Sequence, residues 1–454
     1  MRVAIIAGVI LGVLYTLSPL TVLCLATLLA LGALIARELT PRERAWFTTL
    51  VAVAVAVRLA AIAALFLLAD PTKPYANFFG DEELFKSRTV WLRNVGLGVS
   101  VSPADMIYVF DDVGRSSYLY LLAYIQALVG DAPYGNNVFN ATVFVGAGML
   151  LYWLIRRVYG GIPALAGMAF LLFVPSLFSW SISVLKEPLY MFAAAIELVS
   201  AYYTVRAPRV WQRIVSAIVV LLSAIALGSL RVGGTELAVV GTLVGLPAGL
   251  LATRPRFAFA TIIALPIVIV LAAMQPRVQE RTLLAIQDAA FQHWGHVATP
   301  GYSYKLLDPR LYADMGRRAV YTMTYPEAGR YIVRAAWNFA TVPRSSQIES
   351  RSALAYLPEQ ALWYSILFLL PIGVVAGMRS DPVLTCLLLA HGLAASAMVA
   401  LTSGNIGTLI RHRGLTFPYF TWLAAIGACS LIVWLSTRVP VSSSLSARPS
   451  GEPA

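Results

Sequence analysis

Charge is what this chain has little of: only 12% of its 454 residues are Asp, Glu, Lys or Arg, whereas 59% are hydrophobic. That balance excludes a soluble globular domain and leaves an integral membrane protein that crosses the bilayer many times. Cysteine is scarce too. Cys24, Cys386 and Cys429 lie in apolar stretches and form no spaced motif, which excludes a disulfide framework or a zinc site and leaves them as packing residues. The histidines form no ligand set: His293 and His296 sit in a polar segment, His391 in an apolar helix and His412 between two arginines. The first three are read as structural. No Walker loop, Rossmann fingerprint, HExxH or GxSxG elbow occurs, which argues against ATPase, dehydrogenase, zinc protease and hydrolase chemistry. The 34 basic residues exceed the 22 acidic ones. In a membrane protein such an excess points to anionic headgroups and phosphorylated lipids as partners, not to nucleic acid.

Apolar runs are abundant. Stretches long enough to cross a bilayer cover 47–69, 136–155, 162–181, 188–205, 213–230, 236–252, 257–274, 361–377, 381–401 and 415–436. The first 36 residues are apolar as well, interrupted at Ser18-Pro19. Two short spanning helices are preferred there to a signal sequence plus one helix, because no small-residue cleavage site followed by a polar terminus is seen. The expected fold is an all-α polytopic bundle of about 12 transmembrane helices. It forms a single domain over 1–436, followed by a Ser/Pro/Gly-rich tail at 437–454 that reads as disordered and cytoplasmic.

Arginines at 37, 42, 44, 156, 157, 206, 209, 213, 254, 256, 379 and 438 all fall in connections on one side, which the positive-inside rule makes cytoplasmic. The opposite side receives a long first loop (70–135), a second long segment (275–360), and short turns around Lys186-Glu187, Arg231 and 403–414. Charges are therefore expected at the outer ends of the spans. Within the first loop, Ser117–Val129 is apolar but too short to span, so it reads as an interfacial helix, with Tyr118, Tyr120 and Tyr124 at headgroup level. Helices starting near Pro276 and Pro326 are expected to form a cap over the membrane.

Four groups of residues invite a chemical reading. Asp81, Glu82 and Glu83 follow a long apolar stretch; they suit either a plain helix start or a general base held at the bilayer surface. Arg411, His412 and Arg413 follow a glycine-containing turn, where two guanidiniums fit phosphate oxygens with bidentate hydrogen bonds; the plain alternative is an interfacial anchor. Lys186 and Glu187 interrupt an apolar region as either an exposed ion pair or a substrate contact. Lys86, Arg88, Arg93 and Arg231 are weaker candidates. Asp111-Asp112 can ligate a divalent cation but reads better as hydrated loop acids, so no metal or other cofactor is expected.

Taken in order, Phe79-Gly80-Asp81-Glu82 after an early span, Tyr118 to Leu122 ahead of Gly130-Asp131, Leu151 to Gly160, Pro175 to Glu187, and Arg411-His412-Arg413 before Pro418 resemble the C-type (GT-C) membrane glycosyltransferases. That broad group includes protein O-mannosyltransferases and lipid A aminoarabinose transferases. The resemblance implies an enzyme that moves a sugar from a polyprenyl-phosphate-linked donor to a lipid, glycan or protein acceptor, with inversion. Transfer is implied on the extracytoplasmic face of what is expected to be a bacterial cytoplasmic (inner) membrane. Asp81 matches the first-loop acid and is implied as base, with Glu82 as its neighbour or substitute. Arg411 and Arg413 are implied to hold the lipid phosphate with His412, Lys186 and Arg231 beside them, and Glu187, Lys86, Arg88 and Tyr118 line the substrate. The Lys186-Glu187 pair is also similar to O-antigen-type polysaccharide polymerases, which use a polyprenyl diphosphate. A non-enzymatic transporter or flippase is the reading from a different class; it requires ionisable residues near mid-membrane.

Overall fold

The computed structural model describes residues 18–68, 80–111, 116–130, 133–254, 274–298, 302–313, 317–344 and 357–438, with a few isolated positions besides. In chain order the helices are α1 (Pro19–Ala36), α2 (Pro41–Leu67), α3 (Gly80–Gly96), α4 (Pro103–Val109), α5 (Ser117–Val129), α6 (Pro133–Tyr159), α7 (Gly161–Phe173), α8 (Pro175–Ser181), α9 (Glu187–Arg206) and α10 (Val210–Leu230). They continue as α11 (Gly234–Ala252), α12 (Pro276–Ala298), α13 (Arg310–Ala313), α14 (Arg317–Val320), α15 (Tyr325–Thr341), α16 (Leu357–Ser380), α17 (Pro382–Thr402), α18 (Ile406–Arg413) and α19 (Phe417–Arg438). Proline opens many of them, at a position where its missing N–H costs nothing.

Among the described residues, nine helices are long and apolar enough to cross a membrane, or ten if α7 and α8 form one bent span. The chain is thus an all-α polytopic membrane bundle. The span expected at 257–274, the first of the two N-terminal helices and the tail beyond 438 lie outside the described residues. The run expected as a span at 162–181 is bent, with α7 and α8 meeting at 66°. Pro175 is the reason: its ring removes a backbone donor and crowds the preceding turn.

The break is stapled by a residue of α2. Arg58, fully buried, donates from Nη2 to the Leu172 carbonyl at 2.6 Å and from Nε to Ser181 Oγ at 2.7 Å. Its guanidinium also lies 5.0 Å from the ring centroids of both Phe144 and Phe178. A carbonyl freed at the end of α7 thus finds a charged donor.

Small residues let other spans approach closely. Gly241, Gly245 and Gly249 repeat every fourth residue along α11, where an added Cβ would strike His391, Leu387 and Val383 of α17. Gly373 of α16 and Gly427 of α19 likewise leave no room for a Cβ against the facing backbone. Close backbone approach substitutes for a hydrophobic driving force that lipid does not supply.

Three arginines of the basic connections meet acids at one end of the bundle. Arg156 pairs with Glu43 at 2.9 Å, Arg157 with Glu38 at 2.7 Å, and Arg206 with Asp381 at 3.0 Å. The expectation that charge is confined to span ends does not hold. Besides Arg58, Glu197 of α9 and His391 of α17 are wholly buried halfway along their helices, with Nε2 and Oε2 2.9 Å apart. A lone ionisable group at that depth is costly, so the two stabilise each other.

At the other end, a helical layer of α12 and α15, the cap, packs against α17. It is pinned to the C-terminal carbonyls of α17: His293 Nδ1 lies 2.6 Å from the Ser403 oxygen, His296 Nδ1 lies 2.7 Å from that of Thr402, and Tyr331 donates to Leu401. These are carbonyls that a helix end leaves without partners. The cap and the 403–405 turn also exchange backbone bonds, Tyr304 N–H to Gly404 at 3.0 Å and Ile406 N–H to Tyr302 at 2.8 Å. The short helix α18 is held from that turn.

Because Nδ1 of His293 faces a carbonyl it must donate, so Nε2, 3.0 Å from the Tyr312 hydroxyl, accepts. That hydroxyl in turn accepts from the Leu306 and Leu307 N–H groups at 3.1 and 3.2 Å. The arrangement requires a neutral ring, and burial pushes His293 down to about 4. A folded value below the unfolded one means that the unfolded chain takes up the proton first. Stability is therefore complete above about pH 6.5 and lost as pH falls toward 4, by about 3 kcal/mol for this group. Melting in detergent should drop between about pH 7 and pH 5, and a His293→Gln variant should show a flatter profile. An unchanged profile in the variant would remove His293 as the source.

Candidate functional site

Four segments meet at the capped end. The first turn of α3 carries Asp81, the turn between α8 and α9 carries Lys186 and Glu187, the α10–α11 turn carries Arg231, and α18 carries Arg411 and His412. Arg411 is the hub. Its Nη1 lies 2.7 Å from Asp81 Oδ2 and its Nη2 lies 3.1 Å from Glu187 Oε1. Arg231 Nη1 approaches the same Glu187 oxygen at 3.7 Å. Lys186, next along the chain, has no ion-pair partner among the described residues.

Burial differs across the cluster. The Glu187 side chain is 2% exposed and that of Asp81 is 60% exposed. Burial pushes the Lys186 ammonium down; Glu187 counteracts this, while Arg231 and Arg411 add to the fall. Burial also lowers Arg231 despite Glu187. For Arg411 burial works in the same sense, but Glu187 and Asp81 more than offset it and hold the guanidinium above its usual range. His412 is driven well below the usual imidazole range, by burial first and then by Arg231 and Arg411, so its ring is neutral.

The turn that presents Lys186 and Glu187 is built from beneath by α6 and α3. Asn140 Nδ2 donates to the Ser183 and Leu185 carbonyls at 2.6 and 2.8 Å, and Asn137 Nδ2 to that of Ile182 at 2.6 Å. Glu82 accepts from the Val184 N–H at 2.9 Å and pairs with Lys86 at 2.9 Å. Tyr118 donates to Asn140 Oδ1 at 3.1 Å. An irregular backbone in a membrane bundle needs such partners inside the protein.

Of the residues singled out in the sequence, Asp81, Lys186, Glu187, Arg231, Arg411 and His412 are thus brought together. Glu82, Lys86 and Tyr118 are buried in the layer below them. Tyr118 is therefore turned into the protein, whereas Tyr120 and Tyr124 on the same helix are exposed. Arg88 is buried and donates to the Asp111 carbonyl. Asp112 and Phe79 lie outside the described residues. No group of three or more His, Cys, Asp or Glu suited to a metal ion is found among the described residues.

Arg413 turns the other way. Its guanidinium donates to Gln360 Oε1 at 2.8 Å and to the Phe339 and Val342 carbonyls at 2.7 and 2.6 Å, and it stacks 4.8 Å from the Trp363 ring centroid. It caps α15 and ties it to α16. Since 406–413 is helical, positions two apart face different sides, and Arg411 and Arg413 cannot form one fork.

Asn137 and Asn140 escaped notice in the sequence. Their signal was available: two polar residues, a turn apart, at the start of an otherwise apolar span.

Chemically, a half-buried nest of three cations around one deep carboxylate, with a second carboxylate at its exposed edge, suits an oxyanion and a group that gives up a proton. A groove of about 800 Å³ between α2 and α7 lies at the opposite end near Glu43 and Gly161 and holds none of these charges. No protein-family model matches the chain, and no curated protein matches it significantly.

Proposed function

We propose that the chain is a C-type membrane glycosyltransferase that takes a sugar from a polyprenyl-phosphate-linked donor and transfers it, with inversion, to a lipid, glycan or protein hydroxyl. In this reading the site faces outward from a bacterial cytoplasmic membrane. Asp81 accepts the hydroxyl proton, while Lys186, Arg231 and Arg411 hold the phosphate as the carbon–oxygen bond to it breaks. Arg413 and Glu82 support the site without touching the reacting atoms.

The charge balance of the cluster carries the proposal. Lys186, Arg231 and Arg411 against Asp81 and Glu187 leave one positive charge. A sugar linked through one phosphate is a singly charged diester and neutralises it. When the proton moves to Asp81, the departing phosphate becomes a dianion, and the site is again neutral. A constant net charge through the reaction avoids the cost of an unpaired charge in a low-dielectric site. A diphosphate-linked donor leaves excess negative charge at both stages, so the polymerase reading fits less well.

One observation favours a second reading. The buried Glu197–His391 pair places ionisable groups mid-span, as a transporter or flippase requires. The two are separated by supplying a monophosphate-linked polyprenyl sugar to membranes with and without the protein. A transferase releases free polyprenyl phosphate in a protein-dependent manner. Intact donor moved between leaflets, with none cleaved, would establish the flippase and end the transferase reading.

A further inference from the structure

We propose that Asp81 is a latch on Arg411, and that the lipid phosphate itself opens it. Arg411 is forked between two carboxylates of very different setting. The Glu187 arm is 3.1 Å long and its carboxylate is 2% exposed; the Asp81 arm is 2.7 Å long and its carboxylate is 60% exposed. Water screens the second arm and not the first, so the Asp81 arm is the one that breaks at little cost. Asp81 also stands on the first turn of α3, at the exposed rim, whereas Glu187 is fixed by the Asn137–Asn140 scaffold under its turn. A phosphate entering the nest therefore competes with Asp81 for Arg411 Nη1 and leaves the Glu187 arm in place.

The inference rests on the proposed function and adds a control to it. While Asp81 is paired to Arg411, its Oδ2 is engaged by Nη1 and is not offered to an acceptor hydroxyl. Displacement by the donor phosphate frees the carboxylate only when a donor is present. The base is thus switched on by the leaving group it must act with, and water alone does not trigger it.

The test is a double-mutant cycle on binding of farnesyl monophosphate to the detergent-solubilised chain. Asp81→Asn removes the internal competitor, so affinity should tighten about two- to fivefold, the worth of an exposed ion pair. In an Arg411→Gln background the same change should give no gain, because the competition runs through Arg411. A gain that persists there reflects general electrostatics and overturns the latch, as does an Asp81→Asn protein that binds no tighter. Either result leaves the phosphate reading standing, whereas absence of saturable binding to the wild-type chain ends both. Should Arg411→Gln fail to fold, infrared difference spectra of the wild-type chain decide the matter. Adding farnesyl phosphate must shift a carboxylate band that is missing from Asp81→Asn, and no shift refutes the latch.

Discussion

Asp81→Asn is expected to lower sugar transfer about 10²- to 10⁴-fold, the usual worth of a positioned general base, while the donor still binds. The substitution keeps the size of the side chain and removes its negative charge and its ability to take a proton. The measurement is initial-rate release of polyprenyl phosphate at saturating donor, with donor binding followed separately. The loss should appear in kcat with KM unchanged or lowered, since an interaction made only in the transition state is what disappears. Glu187 and Glu82 are poorly placed to replace it. Glu187 is buried under two guanidiniums, and Glu82 is committed to Lys86, Asn137 and the Val184 N–H. Transfer that persists at a wild-type rate in Asp81→Asn would remove the base from the proposal.

How much of this was legible in the sequence depends on how local the signal is. Hydropathy marks a span because it is summed over some twenty neighbours, and the helices described lie where the apolar runs are. Lys186, Glu187 and Arg231 stood out because each interrupts an apolar stretch. The break at Pro175 was written in the sequence as a proline inside an apolar run, but proline is tolerated within spans often enough that only geometry reveals the 66° bend. Pairings between distant helices were not legible. Arg58 reads as one charge in a helix until Leu172 and Ser181 arrive from elsewhere in the chain, and Arg413 reads as a twin of Arg411 until the helix turns them apart. The site's charged members were visible; the asparagines and the cap that hold them were not, because a single polar residue carries no record of its partner.

His391→Leu should destabilise the protein by about 3–5 kcal/mol, the cost of removing one member of a buried pair. The imidazole has both nitrogens engaged: Nδ1 is 2.8 Å from the Leu387 carbonyl and Nε2 is 2.9 Å from Glu197, which also accepts from Thr242. Its face stacks on Tyr419 at 5.3 Å, and Gly241 leaves no space behind it. With both ring nitrogens facing oxygens, one proton must lie between Nε2 and the Glu197 carboxyl group. The pair then carries no net charge, whichever partner holds that proton. Leucine at 391 strands the acid. Glu197→Leu together with His391→Leu removes both polar groups and should recover most of the loss, since an apolar replacement of a buried pair is often neutral or better. The thermal stability of the two single variants and the double variant in detergent measures the coupling directly. If the double variant is stable and still transfers sugar, the pair is a clasp between α9 and α17. If it is stable and inactive, the mid-membrane proton belongs to the function, and the transporter reading regains its ground.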